Sequence, residues 1–233
     1  MRTRLAVPLV ALTTLIGLSG CGSDLGPDIH PGSAAVVGEE KVTLDEVDDG
    51  AQELCHLIEP QLEAGQLVWP MAKLRSVILD SIVLDILTRK FAEERDLEPA
   101  EGYKQAITES KQRNTQGGLK GRDAALALQL DTRAAYHQAI TLSAGLEGGQ
   151  AVSQEQVQAA LQQGEAEFEE WRKDVEVVTD PRFGTVAQAQ GWPYTAPKDV
   201  LSVAFSDTAK KGAAAEDAAY AESLPASQRC GGD

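Results

Sequence analysis

The segment from about residue 71 to 96 constrains the fold most, because it is long, strongly apolar and free of proline and glycine. Apolar residues recur in it at steps of three and four, which predicts a helix with a wide apolar stripe. The stripe consists of Leu74, Val77, Ile78, Leu79, Ile82, Val83, Leu84, Ile86, Leu87 and Phe91. Arg75, Asp80 and Asp85 argue against a membrane span. Such a helix needs other elements on most of its sides.

Further helices are predicted on both sides of this long helix. Only 5% of the residues are aromatic, so the core is expected to be aliphatic and rich in alanine, which favours helices. Breaks that contain proline or glycine separate the periodic segments. The predicted helices cover 44–58, 71–96, 100–115, 122–144 and 153–173. The chain is therefore expected to be mainly α.

A small β element is predicted at the two ends of this helical region. Residues 34–42 contain two apolar runs separated by a turn, and residues 175–179 alternate before a turn at Asp180–Pro181. Thr43 is followed three residues later by Glu46, a spacing that predicts a capping box at the start of the first helix. The acidic residues after Thr43 then suit the positive end of that helix.

The first twenty residues predict a secretory signal peptide. Arg2 and Arg4 precede an apolar run, and small residues lead to Cys21 in the sequence LSGC. This sequence resembles a bacterial lipobox, which implies cleavage before Cys21, lipidation of its thiol and anchoring on the outer face of the cell membrane. Residues 21–33 would then form a lipidated tether. The alternative is an ordinary signal peptide followed by a chance cysteine.

The chain is acidic, with a formal net charge of −15, or −17 once Arg2 and Arg4 leave with the signal peptide. Such acidity argues against nucleic acid or anionic lipid as a partner of the folded body, and it favours solubility. The glutamates of residues 165–170, followed by Arg172 and Lys173, favour a solvated helix face with ion pairs at a spacing of four over a catalytic carboxylate pair.

Two cysteines remain after lipidation, Cys55 and Cys230, and outside the cytoplasm they can form one intramolecular disulfide. The alternative is that Cys230, in the polar end of the chain, stays free or pairs with another chain. The histidines His30, His56 and His137 are scattered, and no metal-ligand spacing or nucleophile motif accompanies them. No metal site, cofactor or catalytic residue is therefore predicted.

Four stretches, in this order, resemble the N-terminal chaperone region of SurA-type proteins, which PrsA-like foldases share. They are AAVVGEEKVTLDEVD, LRSVILDSIVLDIL, AEERDLEPAEGYKQAI and VEVVTDPRFG. The resemblance covers roughly residues 34–186 and implies a helical body closed by strands from the two ends of the domain. Residues 187–233 would be a C-terminal extension, expected to be disordered from about residue 207 because small and acidic residues dominate it.

One departure from that family concerns activity. In the foldases a whole parvulin prolyl isomerase module stands between the linker helix and the closing strand. Here the predicted helix over 153–173 runs straight into VEVVTDP, and the histidine and Gly-Gly signatures of that module are missing. The resemblance therefore implies a protein that lacks isomerase activity and is not an enzyme.

The function that this resemblance implies is a membrane-anchored chaperone or holdase that binds unfolded or exported polypeptides. A groove between helices would take extended apolar segments. The alternative is an accessory lipoprotein that binds one specific cell-envelope partner through a small patch with aromatic anchors, such as Trp69 or Trp192. A third possibility, an unrecognised enzyme, would need a pocket with converging titratable groups.

Overall fold

The computed structural model describes residues 32–146, 153–183 and 218–232. The strands are β1 Ser33–Val37, β2 Glu40–Thr43, β3 Trp69–Pro70, β4 Val177–Thr179 and β5 Arg229–Cys230. The helices are α1 Leu44–Ala64, α2 Met71–Arg95, α3 Tyr103–Gln116, α4 Gly121–Gly145, α5 Gln154–Arg172 and α6 Ala218–Ser223. The prediction of a mainly α fold with a small β element is confirmed. In the described ranges no helix is both long and apolar enough to cross a membrane.

Helix α2 lies at the centre of the body and contacts α1, α4, α5 and β1. Leu74, Leu79 and Val83 on this helix are completely buried. Phe91, near its end, lies with its ring centroid 5.4 Å from that of Phe168 on α5. The prediction that this helix is covered on most sides is confirmed, because its buried side chains meet partners in several directions.

A three-stranded antiparallel sheet closes the body, in the order β2-β1-β4. Strand β1 is the middle strand, with Val36 opposite Lys41 on one side and Val178 on the other. All five residues of β1 are buried, so the strand is covered on both faces. The strands from the two ends of the region 34–186 therefore pair, as the SurA-like resemblance implied.

Helix α1 starts at the predicted cap and ends later than predicted. The Thr43 hydroxyl accepts a hydrogen bond from the amide of Glu46 at 3.2 Å, which confirms the Thr43 half of the capping box. The helix was expected to end at 58, yet it continues through Pro60 to Ala64. Pro60 is exposed and removes one backbone donor, whereas Leu62 beyond it is buried. The burial of Leu62 is a contact that a helix ending at 58 would not provide.

The C-terminal strap, residues 218–232, is attached to the body by a disulfide and a short strand ladder. Cys55 on α1 is bonded to Cys230 on β5, with their Cα atoms 5.6 Å apart, so the predicted intramolecular pair is confirmed. Strand β5 pairs antiparallel with β3 and places Cys230 opposite Trp69. The expected disorder from about residue 207 is wrong for this strap, because covalent attachment offsets its polar composition. Residues 207–217 lie outside the described residues.

Helices α4 and α5 approach so closely that only glycine fits at two positions. A Cβ atom added to Gly164 would lie 1.7 Å from the carbonyl oxygen of Thr141. A Cβ atom added to Gly145 would lie 1.8 Å from the carbonyl oxygen of Ala160. On each helix the two contacting residues are four apart and so share one face. The backbones therefore meet directly along this crossing.

We expect Gly164→Ala to destabilise the protein by about 3 kcal/mol or more, although alanine favours a helix by about 1 kcal/mol over glycine. The added methyl group would overlap backbone that no rotamer change can move. Gly65→Ala is the matched control, because a Cβ there meets nothing closer than 3.4 Å. Urea unfolding followed by circular dichroism measures both variants. Equal stability of the two would contradict the close approach of α4 and α5.

Candidate functional site

The structure does not gather the sequence-predicted residues into one pocket. Thr43 and Glu46 stand at the start of α1, and the Cys55–Cys230 bond fastens the strap. Three residues that the sequence singled out lie outside the described residues: Cys21, His30 and Trp192. Two other places on the described surface bring polar side chains together, one around His56 and one around His137.

A polar recess of about 790 Å³ opens between α1 and the start of α4. Its lining residues carry both signs of charge: Asp49, Gln52, Glu53, His56, Lys120, Arg122 and Asp123. The lining residues of α1 are spaced by three and four, so they share one helix face. Walls of mixed charge suit a charged stretch of polypeptide, because each cationic or anionic group finds an opposite partner. No hydroxyl or thiol nucleophile is among these lining residues.

A single pair, His56 and Asp123, bridges the two walls of this polar recess. His56 Nδ1 lies 2.9 Å from Asp123 Oδ1, and the histidine side chain is 73% exposed. Asp123 belongs to the first turn of α4, where the helix dipole favours a carboxylate. Neighbouring Cys55 is in the disulfide, so His56 has no thiol to activate. In the described part of the chain, no three His, Cys, Asp or Glu side chains are arranged to hold a metal ion.

The second polar cluster joins three helices through His137 on α4. His137 Nδ1 lies 2.9 Å from the hydroxyl of Thr88 on α2, and Nε2 lies 3.1 Å from Glu165 Oε2 on α5. The imidazole also meets Phe168 edge to face, with ring centroids 4.8 Å apart. Both ring nitrogens and the ring itself thus contact side chains of neighbouring helices.

Thr88 Oγ1 stands between a backbone partner and the ring of His137. It lies 2.7 Å from the carbonyl of Leu84, to which it can donate, and 2.9 Å from His137 Nδ1. Its single hydrogen serves one of these two partners, and the tautomer of the ring decides which nitrogen of His137 donates.

The Thr88–His137–Glu165 network contains a hydroxyl, an imidazole and a carboxylate in the order of a catalytic triad. Thr88 is completely buried, so it cannot attack a substrate. A recess of about 620 Å³ is lined by His137 and Glu165 of this network, together with Leu161 and Glu169. The network ties α2, α4 and α5 together through side chains.

The glutamates of α5 divide between two environments. Glu169 and Glu170 form the ion pairs expected of a solvated face, with Arg172 at 2.9 Å and Lys173 at 2.5 Å respectively. Both pairs are spaced by three residues along the helix. Glu165 instead turns towards α4 and bonds to His137, which the charge pattern of the sequence did not indicate. The prediction of ion pairs is confirmed for Glu169 and Glu170, but the pairs are spaced by three residues and not by the expected four.

A small apolar patch lies around strand β3. We define it by Leu67, Val68 and Trp69, which are exposed or half-buried. Leu67 is 49% exposed, and no other large apolar residue in the described ranges is classed as exposed. Trp69 is half-buried, and the ammonium of Lys73 lies 3.7 Å from its ring centroid. A long exposed groove lined by leucine, isoleucine and valine does not occur on the described surface.

Comparisons with known proteins add nothing to this description: no protein-family model matches the chain, and no curated protein or solved structure matches it. The SurA-like resemblance of residues 34–186 therefore stays a prediction, which rests on the order of the four stretches in the sequence. The fold itself is consistent with that resemblance through the pairing of β1 with β4. Function has to be argued from the residues and surfaces described above.

We expect Thr88→Val to destabilise the protein by about 1–2 kcal/mol, because it leaves a ring nitrogen of His137 buried without its partner. Thr108→Val on α3 is the matched control. Its hydroxyl makes the same helical bond to a carbonyl four residues back, but the side chain is exposed. Urea unfolding measures both variants. A loss for Thr88→Val no greater than for the control would contradict the role of the His137 bond.

Proposed function

We propose that this chain is a membrane-anchored extracytoplasmic polypeptide-binding protein of SurA-like architecture, without prolyl isomerase activity. Its first candidate role is that of a chaperone or holdase for exported polypeptides. The observation that carries the proposal is the pairing of β4 with β1, which closes a helical body from the two ends of the region that resembles the SurA-type domain.

The connection between α5 and β4 supports the proposed lack of isomerase activity. Helix α5 ends at Arg172 and β4 begins at Val177, so residues 173–176 alone join them. An isomerase needs a shaped pocket for the proline ring to accelerate an exchange that takes tens of seconds unaided. The foldases place such a module at this junction, and this chain has no sequence there to build it.

The charge of the chain supports the proposed location and clients. An acidic body on a lipidated tether would be repelled by anionic headgroups and so would stay away from the bilayer surface. The same acidity favours clients with basic segments. The polar recess around His56 and Asp123 offers such segments three carboxylates: Asp49, Glu53 and Asp123.

The second candidate role is an accessory lipoprotein that binds one specific cell-envelope partner. The apolar patch favours this role, because it is small and has one aromatic anchor, Trp69, beside the exposed Leu67. Specific interfaces concentrate binding energy in a few such residues. A holdase for many clients needs a larger apolar surface, which the described residues do not provide in this conformation.

We expect the purified mature protein to suppress aggregation of an unfolded model protein at several-fold molar excess, yet not to accelerate cis–trans exchange of a prolyl peptide. The two assays separate three classes of protein. A holdase is active in the first assay alone, an isomerase in the second, and a dedicated adaptor in neither. Measured isomerase turnover would overturn the proposal, and failure in both assays would favour the accessory role.

We expect Cys21→Ala to release the protein from the membrane fraction or to block its maturation, because the thiol that would carry the acyl chains is gone. Cell fractionation and metabolic labelling with palmitate measure the change. Cys55→Ala is the control, since it removes a cysteine without touching the lipobox. Membrane fractionation and labelling of Cys21→Ala like those of the wild type would show that Cys21 is not the anchor.

A further inference from the structure

The polar recess between α1 and α4 has walls of opposite charge. Asp49 and Glu53 of α1 form its acidic wall. Lys120 and Arg122, at the start of α4, form its basic wall. Within the described part of the chain none of these four side chains forms an ion pair, although such pairs occur elsewhere on that surface. Charges of both signs therefore line one recess and are left without partners there.

The acidic wall has no compensating charge on its own helix. Asp49 and Glu53 are four residues apart, so their carboxylates are neighbours on one helix face and repel each other. The 21 residues of α1 contain no lysine or arginine. The positive end of the helix favours the acidic residues of the first turn, Asp45 and Glu46, but the wall lies beyond that turn. A cation in the recess would relieve the repulsion within this wall.

The basic wall stands where positive charge is least favourable on a helix. Lys120 is the N-cap residue of α4 and Arg122 is the second residue of the helix, so both lie at the positive end of the helix dipole. The side chain of Lys120 makes no capping hydrogen bond to the first turn. The carboxylate of that turn, Asp123, is bonded to His56. An anionic group in the recess would therefore offset the charge of two cations and of the helix end.

The recess is open to solvent, which distinguishes it from a small-molecule site. His56, which bridges the two walls to Asp123, has a side chain that is 73% exposed, and both cations of the basic wall are exposed as well. Small-molecule sites bury most of the ligand surface. An open recess of about 790 Å³ instead suits part of a longer chain, the rest of which stays in solution.

We propose that the polar recess is a docking site for a polypeptide segment in which basic and acidic side chains alternate. The basic side chains of the segment pair with the acidic wall, and its acidic side chains pair with the basic wall. This inference rests on the proposed function, since it names the class of segment that such a polypeptide-binding protein takes. A uniformly basic segment gains one wall only and meets Lys120 and Arg122 as like charges, which disfavours it.

The first test compares peptides, with the purified mature protein carrying Cys21→Ser. Fluorescence anisotropy measures the binding of three fluorescein-labelled peptides of equal length, in which serine alternates with charged residues. The charged residues are lysine and glutamate in turn in the mixed peptide, and all lysine or all glutamate in the other two. We expect the mixed peptide to bind at least about tenfold tighter than either of the others.

Two double variants remove one wall each: Asp49→Asn with Glu53→Gln, and Lys120→Gln with Arg122→Gln. We expect each to weaken binding of the mixed peptide about tenfold or more, because half of the charge pairs are lost. Urea unfolding checks the fold of both variants. We expect neither to be less stable than the wild type, since each removes charges that are unfavourable where they stand.

Two variants on α3 make the same changes in net charge away from the recess. One combines Glu101→Gln with Glu109→Gln, and the other combines Lys104→Gln with Lys111→Gln. All four side chains are exposed, and none of them lines the recess. Because salt screens charges beyond about 10 Å, we expect the affinity for the mixed peptide to stay within about twofold of the wild type.

The outcomes separate this inference from the proposed function. If the all-lysine peptide binds as tightly as the mixed one, or if the α3 variants lose as much affinity as the wall variants, overall charge and not the recess binds polypeptides, and the inference is overturned. Lower stability of the wall variants would overturn it too, because the walls would then support the fold.

Two further outcomes concern the occupant. Equal competition by a free lysine–glutamate dipeptide would overturn the polypeptide occupant, because the recess would then be a small-molecule site. No binding of any of the three peptides would overturn this inference alone if the protein still suppresses aggregation. The same result without suppression of aggregation would overturn both proposals.

Discussion

The pairing of β1 with β4 is the interaction on which the rest of the structure depends. The pairs are Ala35 with Thr179, Val36 with Val178 and Val37 with Val177. The strands before α1 and after α5 therefore meet. Joining segments so far apart in sequence carries a loop-closure cost, which the fully buried strand β1 offsets by packing on α2. The hydrogen bond from the amide of Asp180 to the carbonyl of Ala34, at 2.9 Å, extends the ladder into the next turn.

Closure also determines what α5 can contact. Because β4 follows it closely, α5 has to return along α2 and α4, and the crossing at Gly145 and Gly164 lets it lie backbone to backbone against α4. That approach brings Glu165 within reach of His137, which in turn bonds to Thr88 of α2. A polar network of this kind stabilises the fold only if each member is satisfied, and both ring nitrogens of His137 have a hydrogen-bond partner within 3.1 Å.

The sequence predicted the elements better than it predicted their contacts. Long periodic segments such as 71–96 were predictable because periodicity is local, and Thr43 with Glu46 was a local cap signal. The first helix was predicted to end at 58 because of Pro60, since the burial of Leu62 could not be known from the sequence alone. Two pairs of small residues spaced by four, Thr141 with Gly145 and Ala160 with Gly164, are a sequence signal of close helix packing. The sequence does not tell, however, that these two pairs pack against each other. The roles of His137 and Glu165 depend on that contact.

The pairing of β1 with β4 and the attachment of the C-terminal strap stabilise different parts of the protein. The body closes through β1 and β4 without help from the strap, whereas the strap has a two-residue ladder and one covalent bond. In the chain-entropy model a bond across a separation of 175 residues stabilises the folded state by roughly 5 kcal/mol. In that model the stabilisation acts through the unfolded chain, so we expect the reduced protein to be less stable overall.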